Sequence, residues 1–86
     1  MNAEQQDALR REFYEGIENN AWTLAEAVKR MRKIVRMTQV EYARLVGVAP
    51  RIVIDLERGV GNPTLASLEK LGRPFGLVCG WQHKKL

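Results

Sequence analysis

The chain has 86 residues, of which 45% are hydrophobic and 28% charged, and these values correspond to one globular domain. No apolar run approaches the roughly 18 residues of a membrane span, and no signal segment opens the chain, so we expect a cytoplasmic protein with no membrane partner. With one cysteine and one histidine, neither placed for nucleophilic catalysis, the sequence predicts no disulfide within the chain, no metal, no cofactor and no enzyme.

Positive charge is concentrated after residue 21. Residues 1–21 hold two basic and five acidic side chains, a net charge of −3, whereas the other 65 residues hold twelve basic and five acidic ones, a net charge of +7. The densest part is Lys29–Arg36, with five basic residues in eight. Such a segment attracts polyanions such as nucleic acid, but it is equally consistent with the solvated face of a helix.

The first predicted element is an amphipathic helix. Leu9, Phe13 and Ile17 are spaced four residues apart and share one helical face, and Asn19 and Asn20 end the pattern. The apolar stripe needs a surface to cover. That surface is the core of the same domain, a second subunit or a partner protein, and the sequence leaves the three alternatives open.

Two capping boxes mark the next helix starts. In Thr23-Leu24-Ala25-Glu26 the threonine side chain accepts from the third backbone N–H and the glutamate reaches back to the cap, which predicts a helix from there to about Met37. Thr38-Gln39-Val40-Glu41 repeats the box and starts a shorter helix. Gly47 ends it, as is typical where a chain leaves a helix in a left-handed conformation.

A third short helix follows a tight turn. Pro50 fits its first position, where the missing N–H is not needed, and we expect the helix to reach Arg58 and stop at Gly59. On a helical wheel its inner face consists of Ala49, Val53 and Leu56, flanked by Ile52. Its outer face consists of Arg51, Ile54, Asp55 and Arg58.

A fourth helix is expected from a cap at Asn62 or Thr64 through Leu71. Its inward stripe consists of Leu65, Leu68 and Leu71. After this helix, glycine and proline break any further helical pattern, and the apolar segment Leu77–Gln82 is rich in strand formers. The sequence therefore predicts a short C-terminal strand.

A lone strand in a helical domain needs a partner, and the same strand of a second copy is the simplest one. This arrangement predicts a two-fold homodimer. The expected dimerisation residues are Leu77, Val78, Cys79 and Trp81, with Cys79 as a small buried hydrophobe. The alternative is that the segment packs on its own domain as irregular coil.

Several of these features occur together at the spacings of a known family. They are Thr38-Gln39, Tyr42-Ala43, Gly47-Val48, Val53 and Leu56-Glu57-Arg58-Gly59. Over residues 24–71 the chain resembles the Cro and phage-repressor type of helix-turn-helix protein, often called XRE. The resemblance implies an all-α, lambda-repressor-like helix-turn-helix bundle. The extra N-terminal helix is then residues 1–21, the DNA-binding domain residues 22–73, and the dimerising strand and basic tail residues 74–86.

The resemblance also implies how the chain meets double-stranded DNA. The helix at Pro50 enters the major groove, held at a fixed angle by an ion pair between Arg32 and Glu57. The residues expected to contact bases are Arg51 on guanine, Ile54 on thymine methyls and Asp55 on a cytosine amino group. The residues expected to contact phosphates are Gln39, Arg36, Arg58 and Thr64. Ala49 and Pro50 depart from the family pattern, because neither offers a side-chain hydrogen bond.

The expected function is that of a transcriptional repressor that binds a palindromic operator as a homodimer. The segment after the fourth helix looks like that of HipB-like antitoxins, which implies repression of the protein's own operon and a cognate toxin as partner. One alternative is a stand-alone phage-type regulator. Another is a protein-interaction module without specific DNA reading, because an outward Ile54 is typical of a protein-binding surface and Asp55 repels phosphates.

Overall fold

The computed structural model describes residues 2–83, and the end of the predicted basic tail, residues 84–86, lies outside the described residues. In chain order the elements are α1 (Ala3–Glu18), α2 (Leu24–Val35), α3 (Gln39–Val46), α4 (Pro50–Glu57), α5 (Leu65–Gly72) and a 3₁₀ turn (Arg73–Phe75). Over the described residues, the prediction of an all-helical bundle is confirmed. None of the helices found there combines the length and the apolar character that crossing a membrane requires.

The two predicted capping boxes are present. The Thr23 hydroxyl accepts from the Glu26 N–H at 3.1 Å, and the Glu26 carboxylate accepts from the Thr23 N–H at 3.0 Å. Thr38 and Glu41 form the same pair at the start of α3. The hydrogen bonds from the threonine N–H and hydroxyl groups lower the pKa of both glutamates below its ordinary value. Local chemistry therefore positions the starts of α2 and α3.

The predicted helix ends are close to those observed. Helix α2 ends at Val35 rather than near Met37, because Arg36 adopts a left-handed conformation with φ of 58°. Gly47 closes α3 at φ of 80°, a conformation that costs glycine little because it has no Cβ. Thr64, not Asn62, caps α5, since its hydroxyl accepts from the backbone N–H of the residue three positions on.

Helix α4 is seated on the rest of the bundle through its inner face. It packs against both α2 and α3. Val53 is fully buried and Leu56 nearly so, as the helical wheel predicted, and Ala43 of α3 is fully buried as well. A small side chain at Ala43 lets the two short helices approach closely. This packing turns the opposite face of α4 outward.

Tyr42 connects α3 to the far side of the core. Its ring is fully buried, and its hydroxyl donates to the carbonyl of Leu71 at 2.6 Å. Burial raises the pKa of Tyr42 to about 12, so the hydroxyl keeps its proton and remains a donor. Helix α3 is therefore tied to the end of α5.

Helix α1 covers the core of its own domain. Phe13 is fully buried, and its ring meets that of Phe75 edge to face with centroids 5.3 Å apart. The Tyr14 hydroxyl donates to the Phe75 carbonyl at 2.8 Å, and the Gln6 amide donates to the Ile34 carbonyl at 3.3 Å. Of the three surfaces that the apolar stripe was predicted to cover, the structure shows the first.

The predicted C-terminal strand is wrong: residues 77–83 have no strand, and the described residues contain none anywhere. A strand needs a neighbouring strand to complete its hydrogen-bond ladder, and residues 2–83 contain no other strand that could provide it. Leu77 instead packs against the core, and its N–H donates to the Gly72 carbonyl at 3.1 Å. The prediction of a buried Cys79 is also wrong, because its side chain is exposed.

Candidate nucleic-acid interface

The two helices α3 and α4 and the turn between them form a compact corner. Gly47 and Val48 both donate backbone hydrogen bonds to the Ala43 carbonyl, at 2.9 and 3.0 Å, so the chain reverses direction within a few residues. Pro50 then starts α4, and Ala49 at the cap position makes no side-chain hydrogen bond. Among Ala49, Pro50 and Arg51, only Arg51 thus offers a polar side chain at the start of α4.

A hydrogen-bonded ion pair holds the other end of α4. The Nε and Nη2 atoms of Arg32 donate to the two carboxylate oxygens of Glu57 at 2.7 and 2.8 Å, and Glu57 is only 5% exposed. The third guanidinium nitrogen, Nη1, donates to the Met37 carbonyl at 3.0 Å. The hydrogen bonds to Glu57 raise the pKa of Arg32 above its ordinary value. The structure therefore brings together the two residues that the family resemblance paired.

Gln39 belongs to the same cluster. Its side-chain amide donates to the Glu57 carboxylate at 3.3 Å, and its side chain is half-buried. An amide has two N–H donors, so this bond leaves one hydrogen for another acceptor. The cluster joins α2 and the first residue of α3 to the last residue of α4. Helices α2 and α3 therefore hold α4 at a fixed angle.

The outer face of α4 has a simple composition. Arg51 is exposed, with 76% of its side chain accessible, and its Nε lies 3.6 Å from Oδ2 of Asp55 one turn later. Ile54 and Asp55 are half-buried, so the outer face exposes less apolar and less acidic surface than the helical wheel predicted. Arg58 is exposed at the C-cap. Arginine is consequently the main side chain that α4 presents to a partner.

The residues expected to contact phosphates lie at the ends of four different elements. Arg36 caps the end of α2, Gln39 opens α3, Arg58 caps the end of α4 and Thr64 opens α5. Three of the four are exposed, the exception being half-buried Gln39. The starts of α3 and α5 carry backbone N–H groups without partners inside the helix, and the exposed arginines at the ends of α2 and α4 add positive charge.

The reasoning from sequence gave the loop between α4 and α5 no part in the site. A cavity of about 170 Å³ is lined by Arg51, Ile52 and Asp55, by loop residues 60–63, and by Thr64 and Ser67. Gly59 and Gly61 adopt φ of 75° and 89°, and this is what folds the loop back toward α4. The sequence feature that indicates this loop is the Gly-Val-Gly-Asn-Pro segment, because two closely spaced glycines followed by a proline are typical of a turn.

Comparison with known proteins identifies the domain. The model of the helix-turn-helix family matches residues 28–78, which include α3, α4, α5 and most of α2. Searches of curated proteins and of solved structures gave no match. The family match covers 51 of the 86 residues, and it coincides with the corner and the ion pair described above. The chain therefore belongs to the Cro and phage-repressor type of helix-turn-helix family, and its helix-turn-helix is a module for binding double-stranded DNA.

Proposed function

We propose that this protein is a transcriptional repressor that recognises a palindromic operator as a homodimer. The observation that carries the proposal is the exposed guanidinium of Arg51 on the outer face of α4, a helix whose other end is held by the buried Arg32–Glu57 pair. A rigid helix with an outward arginine suits the major groove, where arginine donates to both O6 and N7 of guanine. In the same proposal Ile54, which is half-buried, contacts a thymine methyl group.

Anchoring on the DNA backbone is assigned to the helix ends. Arg58 and Arg36 supply positive charge, the second amide hydrogen of Gln39 supplies a donor, and the first N–H groups of α5 near Thr64 supply backbone donors. Contacts of this kind fix the register of a protein on the duplex but carry no sequence information. Selectivity therefore depends mainly on Arg51.

The replacements Arg51→Ala and Arg58→Ala separate these two roles. Arg51→Ala is expected to weaken binding to a selected operator by about 1–3 kcal/mol per subunit while changing binding to random duplex little. Arg58→Ala is expected to weaken both by a similar factor and to flatten the salt dependence. Fluorescence anisotropy on both duplexes at several salt concentrations makes the comparison.

Arg11→Ala is the matched control, because Arg11 is an exposed arginine on α1, outside the helix-turn-helix. It should leave both affinities close to those of the wild type. Identical effects of Arg51→Ala and Arg58→Ala would contradict the assigned geometry. Absence of binding to any duplex at low salt would contradict the proposed function and favour the protein-interaction module.

Dimerisation is proposed to use an apolar groove, of about 620 Å³, between α2, α5 and residues 77–81. None of its lining residues belongs to α3 or α4, so a subunit seated there leaves the corner free for DNA. Leu24 and Leu65 on the rim are 56% and 61% exposed, and Trp81 is fully exposed. A groove beside a protruding tryptophan suits a two-fold contact, in which each copy inserts Trp81 into the other.

Replacing Trp81 with serine tests this interface. Losing two symmetrically buried apolar side chains should weaken the dimer by about 3 kcal/mol, a change of more than a hundredfold in its dissociation constant. Analytical ultracentrifugation measures it, and Leu45→Ser is the matched control because Leu45 is 55% exposed but lies outside the groove. A wild-type monomer at operator-binding concentrations, or a Trp81→Ser variant that dimerises normally, would contradict the proposal.

An antitoxin role is the second candidate function. The observation that favours it is the same exposed apolar groove, because a groove of this kind also suits contact with a different protein chain. The buried face of α1 is unsuited to that task, because Phe13 already lies in the core. The antitoxin role is supported if the protein co-purifies with the product of a neighbouring toxin-like reading frame and if Trp81→Ser abolishes this co-purification. The stand-alone regulator is supported if the protein binds its operator as a homodimer and no such partner co-purifies.

A further inference from the structure

Arg51 and Asp55 form an ion pair whose two side chains differ in how far they are exposed and therefore in how freely they can move. They lie one turn apart on the outer face of α4, with Nε of Arg51 3.6 Å from Oδ2 of Asp55. The arginine side chain is 76% exposed, whereas that of Asp55 is 28% exposed. The carboxylate is therefore the anchored partner, and the guanidinium is the group that can move.

The loop after α4 explains why Asp55 is anchored. The backbone carbonyl of Asp55 accepts from the N–H groups of Arg58 and Val60, at 3.1 and 2.9 Å, which brings the loop back over the residue. Gly61, at φ of 89°, lies so close that a Cβ added to it would be 3.1 Å from Cβ of Asp55 and 3.8 Å from Oδ2. A glycine at this position thus lets the loop approach the Cβ of Asp55, with the carboxylate in ordinary van der Waals range of the loop.

We propose that Asp55 is a positioning residue that sets the guanidinium of Arg51 for guanine, rather than a residue that reads a base itself. This inference rests on the proposed function and deepens it. The observed contact joins Oδ2 of Asp55 to Nε of Arg51, and in the proposed complex the two Nη amino groups donate to O6 and N7 of one guanine. The side chain of arginine has many rotamers, so a partner that restricts them before binding lowers the entropic cost of the contact.

The pairing also changes the expected operator. A carboxylate engaged with Arg51 and covered by the loop is poorly placed to accept from a cytosine amino group in the groove. Each half-site should therefore show a strong guanine requirement from Arg51 and no separate cytosine requirement from Asp55. Because Asp55 carries negative charge near the DNA phosphates, its neutralisation should not weaken binding to random duplex.

The test is a double-mutant cycle on base preference, with the variants Asp55→Asn, Arg51→Ala and the double variant. The operator is first selected from a random duplex library with the wild-type protein. The dissociation constant is then measured for all four bases at each position of the half-site. Asp55→Asn keeps the size of the side chain, and a thermal unfolding curve checks that each variant is folded at the assay temperature.

We expect Asp55→Asn to lower the preference for guanine at one position by about two- to fivefold, with affinity for random duplex unchanged or higher. In the Arg51→Ala background the same replacement should change no preference. A change at a different position that persists in that background would show that Asp55 reads a base, and no change at any position would show that it has no role; both results overturn the inference. A wild-type protein that selects no sequence would instead refute the proposed function.

Discussion

Replacing Arg32 with alanine is expected to lower the free energy of unfolding by about 3–5 kcal/mol. The reason is the position of Glu57, whose side chain is 3% exposed and whose two oxygens depend on Arg32 Nε and Nη2. Without Arg32, the one side chain among the described residues that still bonds to the buried carboxylate is the Gln39 amide at 3.3 Å. A buried charge that loses its partner is costly because water does not reach it. Equilibrium unfolding in urea, followed by circular dichroism, measures the change.

The reverse replacement, Glu57→Gln, serves as the matched control. Arg32 is 26% exposed in its side chain, so water solvates it when the carboxylate is gone, and its bond to the Met37 carbonyl remains. We therefore expect a smaller loss, about 1–2 kcal/mol. Equal losses in the two variants, or a loss below about 1 kcal/mol for Arg32→Ala, would mean that the pair behaves like an exposed surface ion pair.

A double variant, Arg32→Met with Glu57→Leu, distinguishes stability from helix position. Apolar replacement of a buried ion pair often restores stability, so this protein should unfold at a urea concentration close to that of the wild type. Its operator affinity should still be lower, because the bonds that hold the end of α4 to α2 are gone. Wild-type affinity in the double variant would show that apolar packing alone sets the angle of α4.

The helix starts could be predicted from the sequence because capping is local. The side chains of Thr23 and Thr38 bond to residues three positions away, and a single sequence contains all of that information. The same holds for Gly47, which is the residue type that a left-handed helix end favours. The Arg51–Asp55 contact is also local, at i and i+4, but the sequence reading treated both side chains as separate base contacts.

The C-terminal segment could not be predicted in the same way. Strand propensity expresses packing against a neighbour, and Val78 and Trp81 are not buried by any neighbour within residues 2–83, since both are strongly exposed. The surface that α1 covers could not be predicted either, because the Tyr14 hydroxyl donates to the carbonyl of Phe75, 61 positions later in the chain. Contacts at such separations depend on the complete tertiary arrangement. Apolar periodicity indicates only which face of a helix is buried, not what buries it.

Replacing Phe13 with alanine tests whether α1 is part of the domain, and we expect a loss of about 3–5 kcal/mol in the free energy of unfolding. Phe13 is fully buried, and its ring contacts those of Tyr14 and Phe75, with centroids 5.5 and 5.3 Å away. Truncation removes these contacts and leaves a cavity where α1 meets the end of the helix-turn-helix domain. Urea unfolding measures the loss, and Leu9→Ala, at a half-buried position on the same stripe, should cost less.

The outcome also decides how α1 relates to DNA binding. If α1 completes the core, Phe13→Ala should bind operator normally at low temperature and lose binding when the domain unfolds, at the same temperature by anisotropy and by circular dichroism. If α1 were a separable arm for a partner protein, the loss in stability would stay below about 1 kcal/mol and proteolysis would remove the helix without affecting the domain. The bond between Tyr14 and Phe75 favours the first result, because detaching α1 would expose both Phe75 and the core behind it.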